Sequence, residues 1–289
     1  MEVSEKVELL KKANMYMGKR KFLEADTILD KLLKSTEVIE IDKHGKVMDF
    51  STQLEFVLYC NMDNHTKISW SRNYLSEIYC LKGIIKYEDK KYKEALIYYE
   101  KALRWNPVSV LIYSEILESY IKLNELEKFE EIWKKAMRIA VRPVDIAMFY
   151  KKLAFVWIER GENELAYNLL LYSKLIFPRK EADIEIAYLE KRYGTKIKYF
   201  PDLATVEYIK ANELEYKRPV YIIPTYIGLI KMMLGVLKKE EYQNRNNYLL
   251  TIDYYHGLYF HKPGAAIHSE MLALQREYEL KYPVGKEDN

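Results

Sequence analysis

The sequence predicts an all-α fold in which antiparallel helix pairs stack into a superhelix, or solenoid, with an irregular insertion after the first pair. One spacing of small and large apolar residues recurs along the chain, as expected of a repeat protein. Hydrophobic residues make up 49% of the 289 residues, so core material is ample. The 10 Gly and 8 Pro are few for a fold with many tight turns, which disfavours a β-sandwich.

The clearest repeat extends over residues 79–107. Gly83 is followed by Ala95 twelve residues later and by Tyr99 four residues after that, which is the spacing of a helix, a turn and a second helix. The offsets recur after 34 residues and again after a further 37 residues. The second repeat contains Leu117, Phe129, Trp133 and Ala136, and the third contains Tyr150, Leu153, Ala154, Trp157, Gly161, Ala166, Leu170, Ser173 and Pro178.

The residue types at these offsets have a physical reason. Gly83 on the first helix and Ala95 on the second are small, so the two helix axes can approach closely. The ring of Tyr99 then fills the space between neighbouring pairs. Pro107 ends the second helix, because proline cannot continue a helix. The sequence therefore predicts paired amphipathic helices that pack through small residues.

A weaker helix pair is predicted at residues 1–37, before the clear repeats. It has the same offsets at Leu9, Ala13, Tyr16, Phe22, Ala25, Leu29 and Leu32. Residues 38–75 form an insertion of about one repeat's length, since Ala25 and Ala95 are 70 residues apart. Within it, a short hairpin is predicted around a turn at 43–45, followed by a helix at 53–62. The sequence leaves open whether the insertion is a degenerate repeat or a docking element.

The pattern decays after the third repeat. Residues 76–194 are predicted to hold three repeats and a capping helix that stops at Gly194. Residues 195–220, which include Pro201, are interpreted as a linker. Residues 221–289 are predicted to form a divergent helical repeat and a tail.

Gly83, Ala95, Tyr99, Ala102 and Pro107 resemble the tetratricopeptide repeat. Its pattern is Trp-x2-Leu-Gly-x2-Tyr, then Ala-x3-Phe-x2-Ala, then Pro, over 34 residues. The general layout also looks like repeat proteins of Firmicutes-type bacteria, a resemblance that brings no activity with it. The tetratricopeptide resemblance implies a scaffold whose first helices line a concave binding surface.

Charge and composition exclude several functions. The net charge of +3 is too balanced for binding nucleic acid by bulk electrostatics. Two cysteines, Cys60 and Cys80, are too few for a disulfide scaffold and favour a reducing compartment, so we expect a cytoplasmic protein. The N-terminal residues do not resemble a signal peptide, and the apolar stretch at 220–230 is too short to cross a membrane.

Enzymatic motifs are missing from the sequence. It contains no GxGxxG, no phosphate-binding loop and no GxSxG, so we expect no enzyme and no cofactor. His256, His261, His268 and Glu270 lie close together in sequence, but their spacing does not place them on one helical face. An accessory or regulatory protein with a small-molecule or metal-assisted site in this C-terminal region is the alternative function.

The concave face is the predicted binding site. Its residues are Glu77, Cys80, Ile84, Tyr87, Leu111, Ser114, Glu118, Ile121, Met148, Lys151, Phe155 and Ile158. This mostly apolar set suits a peptide or an amphipathic helix of a protein partner. Residues 196–226 of the chain itself, or a second copy in a homodimer, are the alternative occupants. The lysine and asparagine clamp that some tetratricopeptide proteins use for chaperone tails is not matched, because Cys80 and Ile84 replace those residues.

Overall fold

The computed structural model describes residues 2–63, 66–178, 180–193 and 203–283. These residues form two compact units. The first unit comprises the described residues of Met1–Ala140 and Val144–Tyr216, and the second comprises those of Val141–Pro143 and Lys217–Asn289. The predicted all-α fold is confirmed, with a small sheet in the insertion.

Fourteen α-helices and three strands lie within the described residues. In the N-terminal half they are α1 (Val3–Gly18), α2 (Phe22–Ser35), β1 (Ile41–Asp42), β2 (Gly45–Met48), α3 (Gln53–Met62), β3 (Ile68–Trp70), α4 (Leu75–Glu88), α5 (Tyr92–Trp105), α6 (Val110–Leu123) and α7 (Leu126–Ile139). They continue with α8 (Pro143–Glu159), α9 (Asn163–Ile176), α10 (Lys180–Tyr193), α11 (Leu203–Ala211), α12 (Ile222–Leu237), α13 (Arg245–His261) and α14 (Ala265–Lys281).

The repeats correspond to the helix pairs α4–α5, α6–α7 and α8–α9. In the first of these pairs, Gly83 lies against the ring of Tyr99, and a Cβ atom at Gly83 would lie 2.4 Å from the nearest ring carbon. Ala95 and Ala102 on α5 are fully buried in the same core. The small residues therefore set the distance between the paired helices.

The pair α1–α2 packs directly on α4. Ala25 and Leu29 on α2 share a core with Ile78 and Ile85 on α4. The buried Lys82 ammonium adds two ion pairs, at 2.5 Å to Asp26 and 2.7 Å to Asp30. Burial opposes the charge of Lys82, but the hydrogen bonds to both carboxylates outweigh it and raise its pKa.

The insertion lies outside the stack of helix pairs, because α2 and α4 on either side of it are in direct contact. Its three strands form one sheet in the order β1-β2-β3. Strands β1 and β2 are antiparallel, whereas β2 and β3 are parallel, with Lys46 opposite Ile68. Helix α3 begins with a capping box between Thr52 and Glu55. The strand β3 was not predicted from the sequence.

Asp49 joins the insertion to the repeats. Its backbone N–H donates to the carbonyl of Trp105 at the end of α5, and its carboxylate accepts from the N–H of Ser76 in the first turn of α4. Burial is the largest influence on this carboxyl group and raises its pKa to about 6, against the backbone hydrogen bonds that lower it.

Residues 203–216 belong to the first unit. Helix α11 packs against α9, and Ile209 is buried in the same core as Tyr150 and Leu170. The Tyr150 hydroxyl donates to the carbonyl of Leu214 at 2.6 Å. Gly194 and Pro201, which mark the predicted end of the capping helix and the linker, lie outside the described residues.

The second unit is built on α12, α13 and α14. Tyr226 on α12 lies against Gly257 on α13, where a Cβ atom would be 2.2 Å from the ring. Here the large residue is on the earlier helix and the glycine on the later one, whereas Gly83 precedes Tyr99 in the first unit. In the described part of the chain, no helix has both the length and the apolar character that crossing a membrane requires.

We predict that Gly83→Ala destabilises the first unit, because the added Cβ atom would collide with the Tyr99 ring. Overpacking of this kind costs about 1–3 kcal/mol. Urea unfolding followed by tryptophan fluorescence measures the effect, since all 4 tryptophans lie in the first unit. Gly18→Ala is the matched control, because a Cβ atom there would meet nothing within 4 Å. Equal unfolding midpoints for the two variants would contradict the packing argument.

We also predict a pH dependence of stability from Asp49. Its pKa is higher in the folded state, about 6, than its ordinary value of 3.8, so ionisation favours the unfolded chain as the pH rises between these values. The stabilisation lost is on the order of 3 kcal/mol. Asp49→Asn keeps an acceptor for the Ser76 N–H but cannot ionise, so its unfolding free energy should fall less between pH 4 and pH 7 than that of the wild type. Parallel pH profiles, measured by tryptophan fluorescence in urea, would refute this assignment.

Candidate functional site

The predicted binding residues lie on α4, α6 and α8, the first helices of the three repeats. We call these twelve residues the groove face. They are Glu77, Cys80, Ile84 and Tyr87 on α4, Leu111, Ser114, Glu118 and Ile121 on α6, and Met148, Lys151, Phe155 and Ile158 on α8. The spacing of three and four residues places each group of four along one side of its helix.

On α4, the four residues differ in how far they reach the surface. Ile84 and Tyr87 are half-buried, and Glu77 accepts a hydrogen bond from the Asn14 amide of α1 at 2.9 Å. Cys80 is only 3% exposed and lies in the core with Tyr99. Burial raises the pKa of the Cys80 thiol to about 12. Cys80 therefore supports the helix pair, and of the four groove residues on α4 it is the one whose side chain is buried.

On α6, two residues of the groove face connect to α8. The Ser114 hydroxyl lies 3.9 Å from the Met148 sulfur, and the Glu118 carboxylate accepts from the Lys152 ammonium at 2.5 Å. Leu111 is 58% exposed. The structure thus brings the groove residues of two neighbouring repeats together.

On α8, the groove residues are mainly apolar. Phe155 is 39% exposed, whereas Met148 and Ile158 are half-buried against the core of the third repeat. Lys151 is half-buried as well. Leu111 and Phe155 are therefore the apolar side chains that this surface leaves most open to solvent.

Three carboxylates act electrostatically on the Tyr87 hydroxyl. Burial, which is the largest cause, and the charges of Glu118, Glu115 and Glu88 together raise the pKa of Tyr87 to about 12. Glu115 and Glu88 are not among the residues predicted from the sequence. Glu115 directly follows Ser114 and Glu88 directly follows Tyr87, so both lie at the border of the predicted face, where a helical period does not decide on which side a residue falls.

The described part of segment 196–226 that belongs to the first unit packs on the core of the third repeat. Residues 203–216 contact Tyr150, and Tyr216 donates a hydrogen bond to the carbonyl of Ala140 at 3.1 Å. Residues 196–202 are outside the described residues. The contacts made by 203–216 leave Leu111 and Phe155 exposed.

The C-terminal histidines have separate surroundings in the second unit. His261 is buried, with its Nε2 atom 2.6 Å from the carbonyl of Val141, and burial lowers its pKa. The His268 ring lies 5.4 Å from that of Tyr259, and Glu270 accepts from the Tyr255 hydroxyl. Among the described residues, no group of three or more His, Cys, Asp or Glu side chains is placed to hold a metal ion.

Comparison with known proteins gives a family match for one part of the chain. Residues 76–109 match the family model described as tetratricopeptide repeat. No curated protein matches the chain. The resemblance to repeat proteins of Firmicutes-type bacteria stays a prediction.

Two solved structures are similar to the chain at low identity. A structure from a functional characterization of Pseudomonas aeruginosa PilF is 11% identical, with a TM-score of 0.47, and the match covers 93% of this chain and 96% of that one. The P58(IPK) TPR domain is 13% identical, with a TM-score of 0.35, and the match covers 96% of this chain and 80% of that one. Similarity at this level does not bear on function. The sequence similarity to the tetratricopeptide repeat covers residues 76–109, which include the four groove residues of α4.

Proposed function

We propose that this chain is a non-catalytic adaptor that binds a peptide or an amphipathic helix of a protein partner on the groove face. Stacked helical repeats provide extended binding surfaces of this kind. Its two cysteines favour a cytoplasmic setting. No metal, cofactor or nucleic acid is part of the proposal.

The exposure of Leu111 and Phe155 on neighbouring first helices carries the proposal. Leu111 is 58% exposed and Phe155 is 39% exposed, while the residues around them are buried or engaged in contacts between helices. Exposed apolar side chains on the first helices of a repeat scaffold offer contact points to a partner. An amphipathic helix has apolar side chains three and four residues apart, which suits a surface with separate apolar contact points.

The contacts of residues 203–216 support an open groove face over one filled by the chain itself. These residues pack on α9 and on Tyr150, a core residue of α8 that is not part of the groove face. A second copy of the chain remains a possible occupant, which the oligomeric state in solution tests.

We predict that Leu111→Ser combined with Phe155→Ser weakens partner binding about tenfold or more, because it removes apolar contact area without changing charge. The experiment is affinity capture from the native host's lysate with quantitative mass spectrometry, followed by titration of the captured partner. Circular dichroism verifies that the variant keeps its helices.

The matched control is Leu23→Ser combined with Ile97→Ser, on the second helices α2 and α5. Both side chains are exposed, at 80% and 53%, so the control removes similar apolar surface away from the groove face. A partner that is retained by the control and lost by the groove variant supports the proposal. Equal retention by both variants would place the binding site elsewhere. A concentration-dependent dimer that only the groove variant abolishes would assign the groove face to a homodimer.

A further inference from the structure

Among the residues that the structure describes, one carboxylate at the border of the groove face, that of Glu115, has no ion-pair partner. Glu88 pairs with Arg20 at 2.6 Å, and Glu118 pairs with Lys152 at 2.5 Å. Glu115 lies beside both of these pairs, yet no cation of the described residues comes within 4.0 Å of its carboxylate. Its hydrogen-bond partner is a neutral group, the Tyr99 hydroxyl, at 3.5 Å.

Glu115 is also half-buried, which makes its charge costly. Burial is the largest cause that raises the pKa of Glu115, and the charges of Glu118 and Glu88 add to this effect against the attraction of Lys152. A carboxylate that is partly removed from water beside like charges gains strongly from a cation in contact. The described residues do not supply that contact.

Apolar side chains flank this carboxylate. The charges of Glu115 and Glu118 act on the Tyr87 hydroxyl and raise its pKa. Leu111 is on the same helix as Glu115, one turn before it. Lysine and arginine have long apolar stems and a charged end, so they can cover such side chains while the charge reaches a carboxylate. The surface complements a basic residue next to apolar ones.

We propose that the partner segment bound on the groove face places a lysine or arginine side chain against Glu115, with its neighbouring apolar side chains on Leu111 and Phe155. This inference rests on the proposed function and specifies the chemistry of the ligand. An acidic segment or a free C-terminal carboxylate would meet repulsion from Glu115 and its neighbours, so such ligands are disfavoured.

The test selects random linear peptides, displayed on phage, against the immobilised full-length chain. We expect the selected peptides to be enriched in Lys or Arg next to apolar residues. One such peptide is then titrated by fluorescence anisotropy against the wild type, Glu115→Gln and Glu131→Gln. Glu131 is the matched control, because it is an exposed glutamate on α7 that pairs with Lys135.

The proposal predicts that Glu115→Gln weakens binding about tenfold or more and reduces its salt dependence, whereas Glu131→Gln leaves both unchanged. Replacing the basic residue of the peptide by Gln should weaken binding to the wild type by a similar factor. The same replacement should have little further effect on Glu115→Gln, because the contact is already lost. The peptide change needs no altered protein, so the prediction does not depend on the folding of a variant.

The outcomes separate the two proposals. Peptides that need Leu111 and Phe155 but contain no enriched basic residue, or that bind Glu115→Gln as tightly as the wild type, would overturn the charge assignment and leave groove binding in place. Peptides that are indifferent to the Leu111→Ser and Phe155→Ser changes, or the recovery of no binding peptide, would count against the groove face itself and therefore against both proposals.

Discussion

The close contact between Gly83 and Tyr99 is the constraint on which the first unit depends. It brings α4 and α5 so near each other that a single added carbon at Gly83 would lie 2.4 Å from the ring. Because the second helix packs this tightly behind the first, the core is completed between the helices of each pair and between α5 and α6. Residues of the first helices that the core does not enclose, such as Leu111 and Phe155, remain at the surface on α6 and α8.

The buried or half-buried charges at the contacts between helix pairs are of two kinds, paired and unpaired. Where the first pair meets α4, the buried Lys82 is neutralised by both Asp26 and Asp30, so the chain satisfies its own charge. At the border of the groove face, Glu115 has no such partner among the described residues, although it is also partly removed from water. An ion pair within the chain stabilises the contact between two repeats. A half-buried carboxylate without a cation in contact would instead be stabilised by a cationic ligand.

The sequence predicts the helix pairs well because their cause is local. Small residues and rings at spacings of three, four and twelve residues report directly on how two consecutive helices pack. Two features had no such local signal. Strand β3 pairs with β2 across the whole of α3, and nothing in a window of adjacent residues encodes that partner. Cys80 fits the groove offsets but is 3% exposed, since a helical period gives the side of a helix only to within about one residue.

The two residues that carry the proposed binding surface are separate from those that hold the first helix pair together. Leu111 and Phe155 are exposed, whereas Gly83 and Ala95 are buried. Tyr99 is the exception, because its ring packs on Gly83 while its hydroxyl bonds to Glu115. A cation that binds Glu115 therefore acts on a side chain that the helix pair already holds in place. A hydrogen bond that restrains this carboxylate before a ligand binds would reduce the conformational entropy lost on binding.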